Sequence, residues 1–206
     1  MAGRRIEQGD SDYPAALIDR LGDAAPRTIY ALGDAAILRN RLLALVCSVQ
    51  CPGGIVIKTL DAARFLRDAG VAVIGGFHSP MEKECLDLLL RGSQPVVLCP
   101  ARGLANLRIG KEARRAAREG RLLALSPFAE NIRRTTSARA AERNRLAAAL
   151  ADALWTPHAV PGSKTQAIVD AALGRGQPVF TFDHADNSHL LRAGARPFGE
   201  GFSGFG

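Results

Sequence analysis

Aromatic side chains are scarce: they make up 5% of the 206 residues, with a single tryptophan, Trp155. Gripping unpaired bases by stacking needs rings, so any nucleic-acid contact made by this chain must rest mainly on charge and backbone groups. No apolar run reaches the length needed to cross a bilayer, and no signal-peptide pattern opens the chain. A cytoplasmic protein without membrane partners is the expectation. Only four cysteines occur, Cys47, Cys51, Cys85 and Cys99, and none stands in the paired spacing of a zinc site. They read as reduced core thiols, with neither a metal nor a disulfide required for folding.

Acidic residues are also in short supply, 20 against 27 Lys and Arg, for a formal charge of +7. The imbalance is local. Between Arg102 and Arg145 there are twelve Lys and Arg against four acids, leaving fifteen against sixteen in the rest of the chain. Such a basic segment draws phosphates through charge and counterion release; equally, it can be a solvated arginine-rich helix face.

What the chain has in quantity is short apolar runs. They lie at 28–32, 42–48, 71–74, 95–99, 122–125, 153–160 and 178–182, each short enough for a buried strand. Helical patterns fall between them near 54–69, 80–91, 104–119, 136–151, 164–174 and 187–193. Several meet a glycine at the expected stop, at Gly70, Gly92, Gly120, Gly174 and Gly194. This alternation predicts an α/β fold with a doubly wound, mostly parallel sheet and helices on both faces. Residues 1–40 read as a lead-in packed on the core, 41–195 as the main domain and 196–206 as a mobile tail. Two stretches conflict with this pattern. "GGIVIK" begins β-branched, as a strand would, and Pro157 interrupts the run "ALWTPHAV".

In such a sheet ligands bind beyond the carboxyl ends of the strands, so the loops at 47–54, 75–80, 99–103, 126–135 and 160–164 are expected along one edge. Two of them open helices with free N–H groups suited to an anion. In "PGSKT", Gly162 permits close approach, Ser163 is the expected N-cap with Gln166 as its capping-box partner, and Lys164 adds a charge. The order and spacing are not those of a Walker A loop. In "GGFHSPMEKE", Gly75 and Gly76 precede His78, Ser79 as N-cap, Pro80 at the first helical position and Glu82 closing a capping box. A third segment, "RRTTSARAAERNRLAAALAD", places Arg133 and Arg134 before a helix that carries Arg143, Asn144 and Arg145.

Together, "YP" near the start, "GGFHSPMEKE", "SPF", "RNR" with "AALAD" and then "PGSKT" resemble the Rossmann-like core of the DNA-processing protein A (DprA/Smf) family. That group is related to the LOG-type nucleotide hydrolases. The resemblance spans roughly residues 12–182 and suggests a core-only relative. It aligns the family's Gly-Ser-Arg turn with Cys47-Ser48-Val49, which keeps Ser48 and lacks the arginine, and a second family loop with Gly75 to Glu82, where Glu82 replaces an aspartate. The resemblance implies a protein that binds single-stranded DNA without a cofactor, passes it to a recombinase during transformation or recombination, and forms homodimers. The LOG side implies a nucleotide-derivative binding protein or hydrolase, although the helix after "PGSKT" offers Gln166 and Asp170 where that pattern has its glutamate. A scaffold that kept the fold and lost the ligand is the third reading. The expected phosphate or nucleic-acid site comprises Ser48, Gly75, Gly76, His78, Ser79, Glu82, Arg133, Arg134, Arg143, Asn144, Gly162, Ser163, Lys164 and Thr165. No catalytic residue is assigned.

Overall fold

Residues 3–105 and 107–199 are described by a computed structural model. The strands are β1 (Arg4–Glu7), β2 (Thr28–Leu32), β3 (Leu42–Leu45), β4 (Ala72–Gly75), β5 (Val96–Leu98), β6 (Leu122–Ser126), β7 (Ala153–Trp155), β8 (Val179–Thr181) and β9 (Arg196–Pro197). The helices are α1 (Ala15–Leu21), α2 (Gly53–Asp68), α3 (Pro80–Leu89), α4 (Lys111–Arg118), α5 (Ser137–Leu150), α6 (Lys164–Gly174) and α7 (Ser188–Arg192). All nine strands form one sheet in the order β1-β2-β6-β5-β4-β3-β7-β8-β9. From β6 to β9 every pairing is parallel, while β2 runs antiparallel to β6 and β1 antiparallel to β2. The fold is thus α/β and Rossmann-like, with the segment before β3 extending the sheet as an antiparallel pair.

Period-two alternation divides the core. Leu43 and Leu45 of β3, Val73 of β4 and Trp155 of β7 face α2, α3 and α4, where Ile55, Leu66, Cys85, Leu89 and Ala116 are buried. Leu42, Ala44, Ile74 and Leu154 face the other layer, with Leu17 of α1, Leu146 of α5 and Ile168 of α6. Because β3, β4, β6, β7 and β8 are buried on both faces, they read as nearly continuous apolar runs.

The two conflicting stretches resolve simply. "GGIVIK" opens α2, whose buried residues Ile55, Thr59, Ala62, Ala63 and Leu66 keep helical spacing. Pro157 lies beyond the end of β7 at Trp155, where no ladder bond is needed from it. Two expectations fail. The helix expected over 104–119 is confined to Lys111–Arg118. Before it the chain is pinned in an irregular path: Gly103 donates its N–H to the Ile132 carbonyl at 2.8 Å, and a Cβ there would stand 2.3 Å from the Ala129 oxygen. Gly174 belongs to α6, and the turn after that helix uses Gly176, at φ 74°. At the carboxyl end, Arg196 and Pro197 pair with β8, and the Phe198 ring stacks on Trp155 with centroids 5.2 Å apart. Residues 200–206 of the expected mobile tail lie outside the described residues. Among the described residues no helix is long and apolar enough to cross a membrane.

Candidate functional site at the sheet switch point

The chain leaves β3, builds β4, β5 and β6 on one side, then returns to lay β7 on the other side of β3. The connections after β3 and β7 therefore diverge, opening a crevice at their carboxyl ends. A cavity of about 480 Å³ lies there. Its lining includes Ser48, His78, Ser79, Glu82, Arg143, Asn144, Ser163, Lys164 and Thr165, nine of the residues expected from sequence. Cys47, Val49, Gln50, Ala140 and Val160 complete it.

Glu82 organises one wall. Its side chain is 4% exposed, and its Oε2 accepts the N–H groups of His78 at 2.8 Å and Ser79 at 3.2 Å, while Oε1 accepts that of Cys47 at 3.0 Å. With the Ser79 hydroxyl accepting from the Glu82 N–H at 3.2 Å, the capping box is complete. The extra bond to Cys47 ties the start of α3 to the end of β3. This carboxylate already fills the N–H nest that "GGFHSP" would otherwise offer an anion. Phe77, between the glycines and His78, sits at φ 47°, a left-handed conformation unusual for a bulky residue.

Arg143 forms the cavity floor from α5. It is 3% exposed, donates from Nη1 to the Cys99 carbonyl at 2.7 Å, and its Nε is buried without a partner. Burial lowers the pKa of its guanidinium, and the charge of Glu82 acts in the opposite direction. Gly76 makes room for it: a Cβ there would lie 2.0 Å from Cζ. Gly75 ends β4, and its carbonyl accepts the Cys99 N–H at 2.8 Å. Neither glycine lines the cavity; both shape its support.

The opposite wall is the start of α6. The Ser163 hydroxyl accepts from the Gln166 N–H at 3.2 Å, as a cap should. The reciprocal half differs from expectation: Gln166 Oε1 takes the N–H of Gly162, at 2.7 Å, because the Ser163 N–H already reaches the Val160 carbonyl at 3.1 Å. Lys164 Nζ donates to the Ser137 hydroxyl in the first turn of α5 at 2.6 Å, holding a charge over the opening. Ser48 is a brace, its N–H bonded to the His158 carbonyl at 3.0 Å and its Oγ accepting from the Val160 N–H at 3.0 Å, so it joins the two diverging loops.

Arg133 and Arg134 are exposed on the loop before α5 and do not line the cavity. The basic segment is dispersed: Arg115 and Arg121 both pair with Glu119, Arg143 is buried, and α4 lies in the other layer. Sequence reasoning missed a buried relay behind the site. His158 Nδ1 and Asn187 Oδ1 are 2.9 Å apart, and Asn187 Nδ2 donates to the Pro157 carbonyl at 2.8 Å. No local signal announces that pair, since the residues are far apart in sequence. Among the described residues no group of three or more His, Cys, Asp or Glu could hold a metal ion.

The sheet order and a crevice at the β3/β7 switch point define a doubly wound, Rossmann-like α/β protein. The family profile of DNA recombination-mediator protein A matches residues 4–201, and the chain belongs to that family. Among solved structures it resembles DNA processing protein A from Streptococcus pneumoniae, with 19% identity, a TM-score of 0.79, and coverage of 94% of this chain and 70% of that one. DNA processing protein A from Helicobacter pylori, described for its single-stranded DNA binding mode, gives 21% identity, a TM-score of 0.78, and coverage of 96% and 91%. A molybdenum cofactor binding protein from Rippkaea orientalis shares the fold more distantly, at 11% identity and a TM-score of 0.53, with 75% and 83% covered. No curated protein matches the chain.

Proposed function

We propose that the protein binds single-stranded DNA, with phosphate groups of the strand seated in the cavity beyond β3 and β7. The observation that carries this reading is Arg143, a buried guanidinium facing the cavity with one carbonyl partner and an unpartnered Nε. A buried cation of that kind favours an anion beside it, and the first turn of α6 with Lys164 supplies further donors on the opposite wall. Family membership supports a DNA-processing role, and the Helicobacter pylori relative is described as a single-stranded DNA binder. The exposed Arg133 and Arg134 would track the strand beyond the cavity. In this reading the protein works in the cytoplasm as a binder that hands DNA to a recombinase, and two chains pair to extend the bound length.

A free nucleotide derivative is the second reading, favoured by the cavity volume of about 480 Å³, which suits a small ligand. Hydrolysis of such a ligand gains no support from Glu82, the one carboxylate lining the cavity, because its oxygens accept three backbone N–H groups. Fluorescence titration with a labelled single-stranded oligonucleotide and with mononucleotides, each at two salt concentrations, separates the readings. DNA binding is expected to weaken with salt, with a log–log slope of about 0.7 per phosphate contact, and Arg134→Ala is expected to reduce that slope by about the same amount. Tight mononucleotide binding without DNA binding would favour the second reading.

A further inference from the structure

We propose that the groove between α5 and α6 is a second binding site, taking the nucleotides that follow those seated in the cavity. It encloses about 480 Å³, as much as the cavity itself. Its floor is apolar, made by Ala141 and Ala148 of α5 with Ala167, Ile168 and Ala171 of α6. Its rim carries Arg20, Arg145, Lys164 and Arg175, and no carboxylate is among its lining residues.

The groove is continuous with the cavity. Lys164 lines both, and its bond to Ser137 ties the first turns of α5 and α6 together at that end. At the other end Gln177, beyond α6, donates from Nε2 to the carbonyls of Ala148 at 2.8 Å and Ala151 at 2.7 Å, closing the same two helices. Between these ends α6 has 11 residues. At the helical rise this makes a channel of about 16 Å, room for a few nucleotides of an extended strand.

The four cations are held in place without being neutralised. Arg20 Nη1 donates to the carbonyls of Ala149, at 2.9 Å, and Ala151, where α5 ends. Arg175 donates to the Ala171 carbonyl at 3.0 Å and to Gln177 Oε1 at 2.7 Å, and its Nε is buried without a partner. Arg145 is exposed and makes no hydrogen bond or ion pair among the described residues. Every acceptor in this set is a neutral oxygen, whereas Arg4, Arg64, Arg67 and Arg115 elsewhere each pair with a carboxylate. Uncompensated charges around one cleft focus a positive potential on its floor. Resting on the proposed function, the strand lays its phosphates along this rim and its bases on the apolar floor, which needs no aromatic ring.

The test titrates the parent, Arg145→Ala and Ala167→Glu with labelled oligothymidylates of about 4 and about 16 nucleotides, the two ends of the usual range of single-strand site sizes. Arg145→Ala removes the cation that has no partner, and Ala167→Glu puts a carboxylate at an exposed floor position; thermal melts like the parent's confirm both folds. With the longer strand, Arg145→Ala is expected to lower the log–log salt slope by about 0.7, and Ala167→Glu to weaken binding several-fold. With the shorter strand, which the cavity holds alone, both variants should match the parent. Parent-like binding of the longer strand by both variants, or equal losses on the two lengths, would overturn the second site while leaving the proposed function standing. A parent that binds neither strand overturns the proposed function and this path with it. Capture of polyglutamate in preference to oligothymidylate, lost in Arg145→Ala, would assign the groove to an acidic protein segment and remove it from the strand path.

Discussion

The Arg143 guanidinium lies against the Cα of Gly76, so closely that a Cβ at that glycine would be 2.0 Å from Cζ. The contact couples the loop after β4 to the second turn of α5. Gly76→Ala is expected to displace the guanidinium, costing about 1–3 kcal/mol, and to weaken oligonucleotide binding. In an Arg143→Ala background the same substitution should cost much less. Chemical denaturation of the two single variants and the double variant measures the coupling, and additive costs would disprove it.

Glu82 offers a second stability test. A glutamine there keeps one acceptor oxygen and adds an N–H₂ group, so at least one of the three backbone donors from Cys47, His78 and Ser79 loses its partner. Glu82→Gln should destabilise the protein by about 1.5–3 kcal/mol, read from urea midpoints at constant slope. A neutral result would show that the carboxylate clamp contributes little.

At the start of α6, capping and ligand contact separate cleanly. Ser163→Ala removes the oxygen that accepts the Gln166 N–H and should cost about 1 kcal/mol with or without ligand. Lys164→Ala breaks only an exposed bond to Ser137, so stability should change by less than about 0.5 kcal/mol while oligonucleotide affinity falls. Thermal melts paired with titrations test both. A Lys164→Ala protein that binds like its parent removes "PGSKT" from the site.

The buried thiols predict alkaline weakening. Burial raises Cys85 and Cys99 from 9.0 to about 12, so both stay protonated in the fold at pH values where the unfolded chain releases their protons. Between those values the unfolded state binds fewer protons, and stability falls as pH rises. The stabilising contribution is complete below the ordinary thiol value and disappears as pH rises through about 12. Denaturation midpoints across the alkaline range should fall less steeply in Cys99→Ala than in the parent; equal slopes would disprove the contribution.

Much of the fold was legible because it rests on periodicity. Leu42 to Leu45 and Val71 to Ile74 are apolar throughout since both faces of a parallel sheet are covered, and Ser79, Glu82 and Ser163 announce helix starts through short-range hydrogen bonds. The extent of α4 was not legible. Leu104 and Leu107 fit helical spacing, but the backbone approach of Gly103 to Ala129 holds that stretch in an irregular path. The choice between strand and helix for "GGIVIK" needed the partners of Ile55 and Leu66 in the core layer.

By itself, then, the sequence determined the alternation of strands and helices, the capped turns at Ser79 and Ser163, and the edge where loops from different strands should meet, because each depends on neighbours within a few residues. Only the tertiary structure decided what those loop residues do. It turned Glu82 inward onto three N–H groups, buried Arg143 against Gly76, made Ser48 a brace to Val160, and left Arg133 and Arg134 outside the cavity. The reason is physical: a side chain's burial and hydrogen-bond partners come from segments distant in sequence, and these contacts exist only once β7 has packed beside β3.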